Sequence, residues 1–362
     1  MKILIIQPYG IGDCLFTTPL IRAIKKQLPV EYIDVILGSR TKEVLENNPN
    51  INEIFVIDKD KQRRQGRIKT WFEKRRLYSN LKQRKYDVLI DFSLRKEYAR
   101  WLKGLKIPKR IGFNHKNRGR YLNYCITLGE NGFSGKHVVE FYSDLGKFLG
   151  IEVKDRHLEF NIHNSAIQRA KDILRTRAID EKTKFISLVA GSGSSWGKDA
   201  HLRQWPIDKF AKLLEIISSE LKFDYIIALG SRQERHIAEK LTALSSKRVI
   251  NLCGETNLGV SAAIIKMSLF FLGNDGGMAH LAMSLNTPVI AIYGPGDPFV
   301  YGLYPPHNKA IALFKAGLKC RPCYSGFRYN NNCLTNECLS SFTPEEAYKG
   351  LNEKHFLKNL VM

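Results

Sequence analysis

The sequence predicts an α/β protein made of two Rossmann-like domains that face each other across a cleft. Three observations predict it. Short apolar runs, of the length of buried parallel strands, alternate with helix-period segments along almost the whole chain. The alternation occurs twice, with the polar, mixed stretch Glu152 to Asn164 between the two series, which reads as a linker. A chain of 362 residues, 44% of them hydrophobic, can also bury two cores. The expected domains are residues 1–155 and 165–342; a closing helix, 343–362, follows the second sheet and could cross back to the first domain.

The chain opens with Lys2 to Gln7, an apolar run suited to a buried parallel strand. Pro8-Tyr9-Gly10-Ile11-Gly12-Asp13 follows, and then a helical pattern (Leu15, Leu20, Ile21, Ile24, Leu28) that ends at Pro29. The turn carries Gly10 and Gly12 but has Leu15 where a dinucleotide fingerprint needs its third glycine, which argues against a nicotinamide or flavin site. Asp13 suits two roles. It could cap the helix, or it could serve as a general base, since a carboxylate at the C-terminal edge of the first strand of an open sheet faces the ligand crevice.

Further strands are expected at Ile33–Leu37, Ile54–Ile57, Val88–Phe92, Arg110–Phe113 and Tyr124–Leu128, before a helix from His137 to Leu149 that stops at Gly150. The segment from Asp58 to Arg84 lacks apolar periodicity at first. It reads as a loop followed by an exposed helix carrying Trp71, Phe72 and Leu77. An ordinary amphipathic helix packed on the sheet is the default reading; the alternative is a basic-aromatic segment resting on a membrane surface.

The second series places strands at Phe185–Ala190, Tyr225–Leu229, Val249–Leu252, Leu269–Leu272 and Val289–Tyr293, with helices near Ala166–Arg175, Ile207–Leu221, Glu234–Leu244 and Ser261–Lys266. Three of these strands end in turns of small residues: Gly191-Ser192-Gly193-Ser194, Gly230-Ser231, and Gly273-Asn274-Asp275-Gly276-Gly277-Met278. Such turns let the backbone come close to a ligand, and N–H groups at a helix start attract phosphate. Lys198 and Arg203 lie near the first turn as cations, and Asp275 could cap its helix or bind a sugar hydroxyl. Three such strand ends in one sheet converge on one crevice.

Charge narrows the partners. Lysine and arginine outnumber acids 57 to 35, and from Lys59 to Arg120 there are 22 basic residues against five acidic ones. A surface that basic attracts a polyanion: nucleic acid, an anionic membrane leaflet or a phosphorylated glycolipid. No apolar run reaches the 18 or so residues of a membrane span, and the start turns polar too soon for a signal peptide, so a cytoplasmic protein is expected.

Cys320-x2-Cys323-x9-Cys333-x4-Cys338 is a separate feature, in a stretch rich in Asn, Tyr and Gly. Four thiols at such spacing suit a tetrahedral structural metal site, although the last gap is wider than in a standard zinc knuckle; unliganded thiols or redox disulfides are the alternative. Cys14, Cys125 and Cys253 read as ordinary buried residues.

Together, the Gly12-Asp13 turn, Arg203-x-Trp205-Pro206, Asn274-Asp275-Gly276-Gly277-Met278-Ala279-His280-Leu281 and the continuation Pro288 to Pro295 resemble glycosyltransferase family 9, the ADP-heptose:lipopolysaccharide heptosyltransferases. The resemblance spans nearly the whole chain. It implies a glycosyltransferase-B architecture, with the acceptor on the N-terminal domain, on the side of Gly10 and Gly12, and the nucleotide-sugar, ADP-heptose, on the C-terminal domain. It implies inverting transfer without a catalytic metal, with Asp13 as base and Asp275 orienting the donor. Gly276, Gly277 and Met278 would offer N–H groups to the diphosphate, and Gly191, Ser192, Ser194, Gly230 and Ser231 would complete the donor site. His280 reads as a helix residue rather than a catalyst. The family commonly has Lys where this chain has Arg203; arginine keeps the charge and adds a bidentate fork. Relatives with similar cysteines, including an iron-finger branch, set iron beside zinc as the metal at the four-cysteine site. The acceptor would be an anionic core glycan, met at the inner leaflet. The competing readings are a nucleic-acid-binding protein with a metal ribbon, which leaves Asp13 and the glycine turns unexplained, and a nucleotide-sugar epimerase of the same fold.

Overall fold

The computed structural model describes residues 1–329 and 333–361, with the side chains of 194–198 and 361 outside that description. The chain divides into two compact units, Met1–Glu159 and Phe160–Met362. Each holds one six-stranded, wholly parallel sheet.

In the first unit the strands are β1 (Lys2–Gln7), β2 (Tyr32–Gly38), β3 (Glu53–Ile57), β4 (Val88–Asp91), β5 (Lys109–Asn114) and β6 (Tyr124–Thr127). Their order is β3-β2-β1-β4-β5-β6. In the second, β7 (Phe185–Val189), β8 (Tyr225–Ala228), β9 (Arg248–Asn251), β10 (Phe271–Asn274), β11 (Val289–Tyr293) and β12 (Ala310–Phe314) run in the order β12-β11-β10-β7-β8-β9. Both sheets are therefore wound outward in one direction, returned to the middle and wound outward in the other. The return opens a crevice beyond the C-terminal ends of the two central strands. In the first unit these are β1 and β4, where Ile6 lies beside Asp91; in the second they are β7 and β10.

Burial explains why these segments are strands. Ile3 to Ile6 and all of β7 and β11 are buried, as expected where helices cover both faces of a sheet and the run has no polar side to expose. β12 and the helix Lys96–Lys103 were not read from the sequence. β12 alternates half-buried and buried positions, the pattern of an edge strand.

Helix boundaries follow local chemistry. The first helix is two pieces, Ile11–Leu15 and Thr18–Gln27, where one was expected. Pro19 sits in the first turn of the second piece; it lacks an N–H and would strike the carbonyl of Leu15 in a continuous helix. The expected loop after β3 is instead a short helix, Lys59–Arg64, capped by Asp58, whose carboxylate accepts from Lys61 N at 2.9 Å. Gly66, at φ +84, turns the chain into the helix Arg67–Gln83. The closing segment is also two helices, Pro344–Glu353 and Phe356–Val361, divided at His355 with φ +51. Thr343 and Glu346 cap the first reciprocally, at 3.2 and 3.0 Å. Ala347, Leu351, Phe356 and Leu357 lie in the core of the second unit with Trp205, Phe210 and Leu272.

The sequence put Arg118 in the basic stripe, yet it is fully buried. It pairs with the equally buried Asp91 at the end of β4, and Asp91 Oδ1 also accepts from Ser93 N (2.9 Å) and Oγ (2.6 Å). Burial raises the Asp91 pKa, and the Arg118 guanidinium opposes that rise. Removing one partner strands a charge. Arg118→Ala should cost the first unit about 3–5 kcal/mol, measured as a lower urea midpoint; Asp91→Asn with Arg118→Met should recover most of the loss.

Candidate functional site

The two central strand ends of the second sheet carry most of the residues singled out above. β10 ends at Asn274, whose side chain ties three segments together. Its Nδ2 donates to the carbonyls of Ala190 (2.6 Å) and Gly191 (3.3 Å), and its Oδ1 accepts from Trp205 N at 2.9 Å. The turn after β7 and the Arg203-x-Trp205 element are thus fixed to the end of β10. Trp205 itself is a core anchor, fully buried, with Nε1 donating to Phe342 O at 3.0 Å.

Glu234 links the turns after β7 and β8. Its Oε1 accepts from Gly193 N (3.0 Å), and its Oε2 accepts from Ser231 N (2.8 Å) and Oγ (2.7 Å). This approach requires glycine at 191: a Cβ there would lie 1.8 Å from Glu234 Oε1. Gly230, at φ +157, faces the same carboxylate. The sequence reading missed Glu234 as a site residue, although Ser231-x-x-Glu234 is a capping-box signature. Ser192 Oγ donates to Ala200 O at 2.7 Å, so this hydroxyl serves the loop's own geometry. Ser194 begins the following 3-10 segment, Ser194–Arg203, and its side chain, like that of Lys198, lies outside the described residues.

Asp275 follows Asn274, donates its N–H to Ile292 O at 2.8 Å and forms a buried ion pair with Arg203. Burial works against the Arg203 charge, but Asp275, with Tyr329 and Tyr293 adding to it, more than offsets that and raises the Arg203 pKa. Gly276 is extended, and the helix Gly277–Ser284 starts directly after it with Gly277 and Met278 half-buried in its first turn. The first N–H groups of such a helix point out along its axis and attract anions. The end of β10 with the segment after β7 therefore offers a paired carboxylate, a guanidinium and a helix N-terminus at the sheet's switch point.

Two neighbours feel this pair. Burial pushes His280 down to about 3, with Arg203 adding to the effect, and burial pushes the Tyr293 hydroxyl up, reinforced by Asp275. His280 is thus a neutral, packed imidazole.

The cysteine-bearing segment is fastened to the same strand ends. Arg321 Nε donates to Gly294 O (2.6 Å) and Nη2 to Gly296 O (3.1 Å), while Cys323 N donates to Pro295 O (3.1 Å). A Cβ on Gly296 would lie 2.7 Å from Asp275 Oδ2, so this turn rests on the carboxylate. Tyr329 is buried; burial raises its pKa, and it feels the charges of Arg203 and Asp275. Neither Arg321 nor Tyr329 was foreseen as part of the site, because a Cys-rich stretch carries no periodicity that says where it docks. The four cysteines are electrostatic neighbours: burial and then Cys323, Cys333 and Cys320 push Cys338 up to about 11, against the pull of Arg321. Among the described residues no three His, Cys, Asp or Glu side chains are grouped as a metal would need. Cys14 and Cys253 are buried as expected, whereas Cys125 is only half-buried on the edge strand β6.

In the first unit, β1 ends at Gln7, and Gly10 and Asp13 stand at the start of the helix Ile11–Leu15. Half-buried Asp13 accepts from Gly10 N at 3.1 Å through Oδ2, which is the capping role anticipated for it. Gly12 is buried in the same turn. Gln7 Nε2 donates to the Asp13 carbonyl (3.3 Å) and to Tyr142 Oη (3.2 Å), fixing the turn from beneath. Asp91 thus ends β4, and Asp13 lies in the helix that follows the adjacent strand β1 at this sheet's switch point.

The His280 environment yields a pH test. Its folded pKa, about 3, lies below the unfolded value, so between those limits the unfolded chain binds the extra proton. Stability should therefore fall as pH drops from about 6.5 toward 3, and His280→Asn should flatten that acid limb in pH-dependent urea melts.

Comparison with known proteins places this geometry. The profile of glycosyltransferase family 9 (heptosyltransferase) matches residues 74–332, a span that leaves out the Asp13 turn. Lipopolysaccharide heptosyltransferase 2 of Escherichia coli K12 is 26% identical over 363 aligned positions, covering 97% of this chain and 98% of that protein. Two solved structures share the fold. The family 9 glycosyltransferase of Veillonella parvula superposes with a TM-score of 0.79 at 20% identity, covering 99% of this chain and 97% of that one. Escherichia coli ADP-heptose lipopolysaccharide heptosyltransferase II does so with a TM-score of 0.74 at 21% identity, covering 99% and 100%. These likenesses give the fold as glycosyltransferase-B. Because the family profile covers more than half of its length, the chain belongs to glycosyltransferase family 9 (heptosyltransferase).

Proposed function

We propose that this glycosyltransferase moves a heptose from ADP-heptose to an anionic lipopolysaccharide-core acceptor with inversion at the anomeric carbon. The observation that carries the reading is the buried Arg203–Asp275 pair beside the N-terminus of the helix Gly277–Ser284, at the switch point of the second sheet. In this reading the diphosphate lies on the N–H groups of Gly277 and Met278. Asp275 accepts hydrogen bonds from donor hydroxyls. Arg203 and the helix dipole stabilise the charge that develops on the leaving diphosphate as the glycosidic bond breaks. Glu234 keeps the turns at Gly191 and Gly230 in place beside the nucleotide.

The acceptor side is the first unit. Asp13 takes the proton from the acceptor hydroxyl as its oxygen attacks the anomeric carbon, and Gly10 and Gly12 let the acceptor approach that carboxylate. The basic stripe from Lys59 to Arg120 draws the phosphorylated acceptor in, with the enzyme in the cytoplasm at the inner leaflet. The spacing of Cys320, Cys323, Cys333 and Cys338 supports a structural zinc or iron, although among the described residues the four side chains are not gathered as a metal would need; such a metal would pin the segment that holds Gly294 to Gly296. Metal analysis of the purified protein tests that part of the reading; fewer than one metal per chain counts against it.

Calorimetric titration of ADP-heptose, UDP-sugars and GDP-sugars tests the donor side. One donor should bind tightly, with binding lost in Asp275→Ala and weakened in Asp275→Asn, which keeps the shape but not the charge opposite Arg203. Asp13→Asn should leave donor binding intact while lowering kcat about 10²–10⁴-fold, the range for a general base. A donor that binds Asp275→Asn as well as the natural protein would overturn the assignment. Acceptor KM should rise with salt, as expected where a screened field gathers an anion.

A further inference from the structure

The helix Arg67–Gln83 has two unlike faces. Thr70, Glu73, Leu77 and Leu81 point inward, but only Leu81 is buried. Leu77 and Leu81 pack on the core with Phe55, Ile57 and Trp101, and beside them an open cavity of about 880 Å³ lies between the helix, β3 and Tyr98. The helix packs on the sheet as expected through Leu77 and Leu81, and Tyr78 meets Trp101, but Trp71 and Phe72 are turned outward. Ile68, Trp71 and Phe72 lie at i, i+3 and i+4 on the outward face, 74%, 52% and 59% exposed. Trp71 and Phe72 touch edge to face at 4.9 Å, and Arg75 stacks over Trp71 at 5.2 Å on the next turn. The other large exposed apolar residues among those described are Val56, Tyr124, Leu244, Phe299 and Leu334, none of which adjoins another in sequence. These three form one patch.

Cations flank it. Arg67, Lys69 and Arg75 lie on the same helix with Lys74 and Arg76, which border the cavity, and Arg63 and Arg64 precede it. The nearby acids are held sideways: Asp60 by Arg40 at 2.6 Å and Glu73 by Lys61 at 2.7 Å. We infer that the outward face of this helix docks on an anionic lipid bilayer, with Ile68, Trp71 and Phe72 sunk among the upper acyl chains and the flanking cations on the headgroup phosphates. Charge complementarity selects an anionic partner, and the apolar centre selects a bilayer over nucleic acid. An aliphatic Ile68 has no base to stack on, whereas a helix lying in the interface buries isoleucine and aromatic rings together. The inference gives the proposed inner-leaflet enzyme its contact surface, and it can stand or fall without the donor assignment.

The test is flotation of the full-length protein with vesicles of phosphatidylcholine alone or mixed with phosphatidylglycerol, at physiological salt and without any sugar substrate. The natural protein should float with the anionic vesicles and stay behind with the neutral ones. Ile68→Ser/Trp71→Ser/Phe72→Ser should lose at least about tenfold in partitioning, with circular dichroism and thermal midpoint unchanged because these side chains are exposed. Lys74→Glu/Arg75→Glu/Arg76→Glu should lose a similar amount. Bromolipid quenching of tryptophan fluorescence should vanish in Trp71→Phe, which leaves the other tryptophans in place. Equal flotation of the serine variant would overturn the inference, as would failure of the natural protein to float or its displacement from vesicles by RNA. Sugar-donor binding with no flotation sinks this inference alone; flotation with no donor binding sinks the donor reading alone.

Discussion

A buried charge must be paired, and the Arg203–Asp275 pair is the constraint around which the second unit is arranged. Asp275 is carried on the end of a central strand, and Arg203 reaches it because Asn274, one residue earlier, holds the Trp205 backbone at 2.9 Å. Trp205 is in turn locked in the core between Phe210 and Phe342. Hydrophobic burial of one tryptophan thus sets the position of a charge two residues away. Because both charges are shielded from water, their field reaches Tyr293, His280 and Tyr329 and biases the protonation of each.

The same logic explains the turns. Glycines at 191 and 296 are places where a carboxylate, Glu234 or Asp275, presses against backbone. They are small because the polar network is close, not because the chain must bend. Arg321 extends that network outward by holding the Gly294 to Gly296 turn through its fork, so the four-cysteine segment and the crevice share one set of backbone carbonyls. Order in the segment and order in the crevice are mechanically connected.

The first unit solves a similar problem differently. Its sheet has the same strand order, but the fully buried pair, Asp91 with Arg118, knits the end of β4 to the segment before β6. Asp13 stays half-buried on a short helix fastened by Gly10 and Gln7. Its carboxylate accepts from the Gly10 backbone N–H while the turn is braced from below, so it has a fixed position without full desolvation.

The sequence alone determined the α/β class, the two βα series and the three glycine turns, because strand-length apolar runs and small residues at strand ends are local signals. The family motif followed from residues close in the chain, as did the capping potential of Asp13. Tertiary structure decided what depends on partners far apart. Trp71 and Phe72 could have been core or surface by pattern; they are surface because the helix's opposite face is turned to the sheet. Arg118 looked like one more surface cation, and only the proximity of Asp91, 27 residues away, drew it inside. Arg321 and Tyr329 reached the crevice because the turn at Gly294 to Gly296 offered carbonyls to the cysteine segment. Local pattern fixes which face of an element is apolar, but which charges meet depends on long-range packing that brings their strand ends together.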